Sequence, residues 1–276
     1  MTRLRGGISG LLIGPPGTAK STMLASIVEV PRVSKALLLA PTPREINSFK
    51  YRINGITETA EVFQDFGWHP TLGKYECGAF TSLYRRVVSL YEDEVYDAVL
   101  LDTYDGAVGL AAHELLAPEK AMTPKDCRDS RSYYGALKYK LSDFTVALTN
   151  LTSPSLKKPK HVFVAVHAQP TKEDATGKTK TSDDVAKGIE FLGEVQPMIE
   201  GGHRHGIAGE FDIVGFTGLK HEMVKNGSKM ERVVRYVTQL DADPERHAKA
   251  AVIPRINQEI PSSLVDLFRV IEEAAR

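Results

Sequence analysis

The chain has 276 residues, 42% apolar and 25% charged, with a formal net charge of zero. That balance suits a sizeable buried core and supplies no global basic field to draw the chain to nucleic acid or an anionic membrane. No apolar run approaches the ~18 residues of a membrane span, no apolar leader opens the chain, and Cys77 and Cys127 lack ligand spacing; a cytoplasmic protein with free thiols and no membrane partner is expected.

The first element is the apolar run Ile8 to Ile13, which reads as a strand. It runs into Gly14-Pro15-Pro16-Gly17-Thr18-Ala19-Lys20-Ser21-Thr22, a Gly/Pro-rich loop whose Lys-Ser opens a helix. Such a loop presents unpaired backbone N–H groups and a helix N-terminus to a polyphosphate. Lys20 would neutralise the β- and γ-phosphates, and the Ser21 hydroxyl would coordinate Mg²⁺. The pattern asks for glycine where Ala19 stands. A Cβ there costs about 1–2 kcal/mol if φ is positive, and little if it is negative.

Lys35 to Ala40 is a second short strand, ended by Pro41 and Pro43. Glu45, just beyond it, is a candidate general base near a γ-phosphate and equally a cap for the helix that Pro43 begins. Phe80, Leu83, Val87 and Leu90 form a helical stripe. The run Ala98 to Leu101 ends in Asp102, a carboxylate at the edge where α/β sheets bind ligands, suited to hold Mg²⁺. Asp105 is a weaker second carboxylate. Ala117 to Asp129 reads as a polar loop, and Ser130 to Leu151 as a helix burying Tyr134, Leu137, Leu141, Phe144, Leu148 and Leu151. The strand His161 to Val166 ends at His167, placed to sense a γ-phosphate or simply to cap a strand.

Ala168 to Glu210 reads as a second long loop, and loops of this length are functional or disordered. Its Lys172, Lys178, Lys180 and Lys187 could track single-stranded DNA, but four acids nearly cancel them and no aromatic interleaves. His203 and His205 lie in a loop without further metal ligands nearby. Phe211 to Val224 and Met230 to Gln239 flank Asn226-Gly227, a hairpin signal, and a short strand near Ala248 to Ile253 and a helix near Ser262 to Ala275 follow. Alternating strands and helices followed by a hairpin, instead of a helical lid, point to an α/β fold. The expected form is a RecA-like P-loop NTPase core with a mainly parallel sheet, flanking helices and a C-terminal antiparallel hairpin.

In this order, GPPGTAKST, DAVLLD, YGALKYKLSDF and VFVAVHA resemble the phage nucleotide-binding ATPases, RecA-like proteins many of which act in single-strand annealing or recombination. The resemblance extends into the hairpin and the HAKAAV segment. It implies one RecA-like domain over 1–276, ATP and Mg²⁺ as cofactors, Lys20 and Ser21 on phosphate and metal, Asp102 supporting the metal, and His167 as sensor. It further implies Lys249 in the first position of a Lys-x-Arg pair that reaches a neighbouring subunit's ATP, although Ala251 replaces the arginine. Single-stranded DNA, a homo-oligomer and a single-strand-binding protein are the implied partners. A nucleotide-gated scaffold with little hydrolysis and a helicase or helicase-loading motor are the alternatives.

Overall fold

The computed structural model describes residues 6–50, 59–65, 67–69, 73–170, 195–199, 203, 206–226, 229–240, 249–250 and 259–274. The chain runs β1 (Ser9–Gly14), α1 (Lys20–Ala25), β2 (Ala36–Ala40), α2 (Pro43–Lys50) and β3 (Ala60–Val62). A separate antiparallel pair follows, β4 (Gly67–His69) and β5 (Lys74–Glu76), then α3 (Ala79–Ser89), β6 (Ala98–Asp102), α4 (Tyr104–Leu116) and α5 (Ser130–Asn150). The remaining elements are β7 (His161–Pro170), β8 (Val195–Pro197), β9 (Ile213–Asn226), β10 (Lys229–Gln239), β11 (Lys249–Ala250), β12 (Glu259–Pro261) and α6 (Leu264–Ala274).

The main sheet has the order β12-β10-β9-β1-β7-β6-β2-β3, with β11 on β9 and β8 on β7. From β9 to β3 every neighbouring pair is parallel, whereas β10 and β12 add antiparallel. The fold is therefore a mainly parallel sheet with flanking helices and a C-terminal antiparallel pair, and no helical lid occurs among the described residues.

Successive side chains of a strand point to opposite faces, and helices cover both faces of this sheet, so its central strands are apolar throughout. Leu11, Ile13, Leu37, Leu39, Val99, Leu101, Val162 and Val164 pack on one side with α3, α4 and α5. Leu12, Leu38, Leu100, Phe163 and Ala165 pack on the other with α1 and α6. The α6 start is pinned there, its Leu264 N–H donating to Ser26 Oγ at 2.8 Å.

Three expectations need correction. The buried stripe of α5 starts at Tyr133, while Tyr134 is 41% exposed. One residue of phase separates them, and Tyr133 lies a full four residues before Leu137, directly over the same face. Ala117 to Asp129 is not an open loop: it folds into 3₁₀ turns at Ala117–Glu119 and Pro124–Asp126, the second closed by a capping box between Thr123 and Asp126. The second long loop also has structured ends, because β7 continues to Pro170 and β8 pairs back on it, Ala168 opposite Pro197. In the basic stretch Lys157 to Lys160, Lys160 is fully buried and donates to the Asp93 and Lys158 carbonyls.

Candidate nucleotide site

Register assembles the site. On the central strands Gly14 lies opposite His167, and Asp102 opposite Ala165, so the loop after β1 and the ends of β7 and β6 share one sheet edge. That edge and the first turns of α2 and α4 surround a cavity of about 620 Å³. Its walls include Gly17, Ala19, Lys20, Ser21, Glu45, Asp102, Asp105 and His167.

The loop needs its glycines for different reasons. A Cβ at Gly14 would stand 2.1 Å from Thr217 Oγ1 of β9, and Gly17 has φ 81. Thr18 steadies the turn, its hydroxyl 2.8 Å from both the Pro15 carbonyl and Thr217 Oγ1. Ala19 has φ 64 and ψ 23, so the costly alternative holds: alanine occupies left-handed backbone that favours glycine.

Lys20 is buried and its Nζ donates to the carbonyls of Gly14 and Pro15, at 2.7 and 2.8 Å. Burial pulls its pKa down to about 8, against the raising effect of the Asp102 and Asp105 charges. Ser21 Oγ donates to Asp102 Oδ2 at 2.5 Å. Asp102 is 1% exposed, and burial raises its pKa despite the Ser21 hydrogen bond and the Lys20 charge. A hydroxyl and a carboxylate in contact beside an ammonium are the hard oxygen donors Mg²⁺ takes alongside phosphate oxygens. Thr22 Oγ1, in the first turn of α1, is buried with no hydrogen-bond partner among the described residues. The residues present fit a Mg²⁺–nucleotide complex.

Glu45 caps α2 and faces the cavity. Its carboxylate accepts the Thr42 N–H at 2.8 Å, capping α2, and also the Thr103 hydroxyl at 3.3 Å. Burial chiefly, with the Asp102 charge in support, pushes its pKa up to about 8 against those hydrogen bonds. Gly106 permits this approach, since a Cβ there would sit 2.9 Å from Pro41 Cβ and 3.2 Å from Glu45 Oε1.

Asp105 holds His167. One carboxylate oxygen accepts the His167 backbone N–H at 3.0 Å and the other pairs with Nδ1 at 2.8 Å. Burial would raise Asp105, but these bonds and the His167 charge hold its carboxyl below the ordinary range. An ionised carboxylate only accepts, so Nδ1 carries the proton and Nε2 is the ring nitrogen left to other partners.

Lys249 lies in β11 opposite Val214 of β9, and its side chain is outside the described residues. Lys172, Lys178, Lys180 and Lys187 also lie outside them. His203 is a core residue: Nε2 is 2.9 Å from the Tyr104 hydroxyl and 3.2 Å from Thr145 Oγ1, and burial draws its pKa down to about 4. Among the described residues no group of three or more His, Cys, Asp or Glu could hold a metal, and no helix is long and apolar enough to cross a membrane.

The sequence reading missed Arg44, Thr103, Gly106 and Tyr236. Arg44 and Thr103 adjoin residues it had singled out, so adjacency was an available signal. Tyr236 reaches the cavity from β10, which no local pattern announces.

Residues 7–252 match the family described as an AAA domain, AAA_24. The chain belongs to that family. It is thus an AAA-type P-loop NTPase by family. No curated protein matches the chain. Among solved structures, a prototypical ATPase from the type III secretion system of pathogenic bacteria is similar at 16% identity and a TM-score of 0.44, over 77% of this chain and 52% of that one. The chain spans about half the length of that ATPase.

Proposed function

We propose that this AAA-domain protein is a Mg²⁺-dependent ATPase with a RecA-like core, one domain over 1–276, acting on single-stranded DNA in phage-type recombination, annealing or repair. The observation that carries the hydrolytic part is one cavity walled by Lys20, Ser21, Asp102 and Glu45. The antiparallel β9–β10 pair continuing the sheet supports the RecA-like core.

In this mechanism the loop amides and Lys20 bind the β- and γ-phosphates, which requires Nζ to leave the Gly14 and Pro15 carbonyls. Ser21 and Asp102 would hold Mg²⁺, which would neutralise developing phosphate charge. Glu45 takes a proton from the attacking water as the oxygen bonds to the γ-phosphorus and the β–γ bridging bond breaks, leaving ADP and phosphate. His167 Nε2 contacts the γ-phosphate, and its loss is felt at β7 and the segment beyond it. Arg44 supplies a second cation to the phosphates, and Lys249 acts on a neighbouring subunit's nucleotide in a homo-oligomer. A single-strand-binding protein is the further partner.

One observation favours a second reading, a nucleotide-gated scaffold with little turnover: Ala19 sits in left-handed backbone beside the phosphate-binding lysine. ATP turnover with and without single-stranded DNA, with oligomeric state measured in the same samples, separates the two. DNA-stimulated turnover supports the ATPase. ATP binding with no turnover in either condition leaves the scaffold.

A further inference from the structure

The expected DNA tract around Lys172 offered no aromatic, but another surface does. In Ala117 to Tyr139, all three carboxylates are committed to backbone capping. Glu119 accepts the Arg128 N–H, Asp126 the Thr123 N–H and hydroxyl, and Asp129 the N–H groups of Arg131 and Ser132. The five cations of the same stretch, Lys120, Lys125, Arg128, Arg131 and Lys138, make no ion pair among the described residues. In a chain of zero net charge this is a local positive stripe.

Two tyrosines frame it. Tyr139 is 70% exposed and Tyr134 41% exposed. At about 100° per residue they stand about 140° apart around α5, with Arg131 and Lys138 between them, and about 7.5 Å apart along it. Gly135 lies in the same arc, and among the described residues a Cβ built on it would meet nothing within 4 Å. Asp143, one turn past Tyr139, marks the end of the stripe. Lys138 also lies close enough to His203 for its charge to add to the depression of that imidazole, so the stripe borders His203.

We infer that the exposed face of α5, with the turn segment before it, is a single-stranded nucleic-acid platform on which Tyr134 and Tyr139 stack bases and Arg131 and Lys138 pair with phosphates. Exposed aromatic rings alternating with cations suit a strand that offers a π-face and a negative charge at every nucleotide. An acidic protein segment would use the cations but not require the rings. The inference rests on the single-stranded DNA reading above and gives it a location.

The test is binding of a labelled oligothymidylate to the full chain at low salt, by anisotropy, across a salt series. Tyr134→Ala with Tyr139→Ala should weaken binding about tenfold or more, whereas Tyr134→Phe with Tyr139→Phe should bind as wild type. Arg131→Ala with Lys138→Ala should reduce the salt slope by about 1.4, two phosphates at about 0.7 each. Basal ATP turnover and thermal midpoint should be unchanged in all of them, since these side chains are exposed. Wild-type binding by the tyrosine-to-alanine variant overturns the inference. So does loss confined to Lys172→Ala/Lys178→Ala/Lys180→Ala, which would keep the DNA reading but move the site. If the wild type binds no oligothymidylate, with or without ATP, the DNA reading itself fails. Equal loss in the alanine and phenylalanine variants would also overturn the stacking role.

Discussion

The nucleotide cavity and the Ala117–Tyr139 surface draw on the same residue types and dispose of their charges in opposite ways. In the cavity, Lys20, Asp102, Asp105 and His167 are each held by a named neighbour, and burial moves Lys20 and Glu45 toward neutrality, both to about 8. On the surface, carboxylates are consumed by helix and turn caps while the cations stay in water. Desolvation explains the difference: a buried charge must find a partner or shift its pKa, whereas an exposed lysine or arginine needs neither. The cavity therefore reads as chemistry, and the surface as recognition.

The comparison is tested most severely at Lys20. Lys20→Ala should cut ATP turnover by about 10³-fold while the circular dichroism spectrum stays unchanged, because the phosphate charge loses its buried donor. Wild-type turnover in the folded variant would remove the phosphate-loop reading.

Glu45→Gln should lower kcat about 10²-fold with little change in nucleotide affinity. Its pH dependence is the sharper measurement. The base works ionised, so kcat/KM should rise as pH climbs through about 8, while loss of the Lys20 proton, also near 8, should bring it down above that pH. A narrow maximum near pH 8 is expected for the wild type, and Glu45→Gln should lose the rising limb. A wild-type profile flat from pH 6 to about 8 would leave Glu45 as the α2 cap alone.

Asp102→Asn should shift the Mg²⁺ concentration for half-maximal turnover upward by about tenfold or more, with a smaller effect on metal-free nucleotide binding. An unchanged Mg²⁺ titration would leave Asp102 as a partner for the Ser21 hydroxyl only.

The smallest effect is expected at Ala19. Glycine there relieves left-handed strain but loosens the unfolded chain, so Ala19→Gly should raise stability by at most about 1 kcal/mol, read by urea denaturation. A gain in turnover without a change in nucleotide affinity would show that the strain also slows the chemistry. A fall in stability would contradict the positive φ.

Much of this was legible in the residues. The phosphate loop follows from nine consecutive positions, and β2, β6 and β7 follow from apolar runs that end in Pro41, Asp102 and His167. Such features are local: a buried parallel strand must be continuously apolar, and a loop that wraps phosphate needs glycines and a lysine at fixed spacing. The antiparallel finish was legible from alternation around Asn226-Gly227, although residues 227 and 228 lie outside the described set.

What only the tertiary structure decided was which side chains meet. The sign of φ at Ala19 was open from the residues alone, and the folded loop makes it positive. The Glu45–Thr103 contact depends on Gly106 letting α4 close on the β2–α2 turn. Asp105 went to His167, Tyr134 outward instead of Tyr133, and Tyr236 into the cavity from a distant strand. The sequence by itself determined β1, β2, β6, β7, the β9–β10 pair, the stripes of α3 and α5 and the glycine-rich loop, because backbone conformation and burial periodicity are written within a few residues; β3, β4, β5, β8 and α4 carry no such local signal. Partner choice was decided by packing, because a polar group's pKa and hydrogen bonds depend on whatever the fold brings within about 3 Å of it.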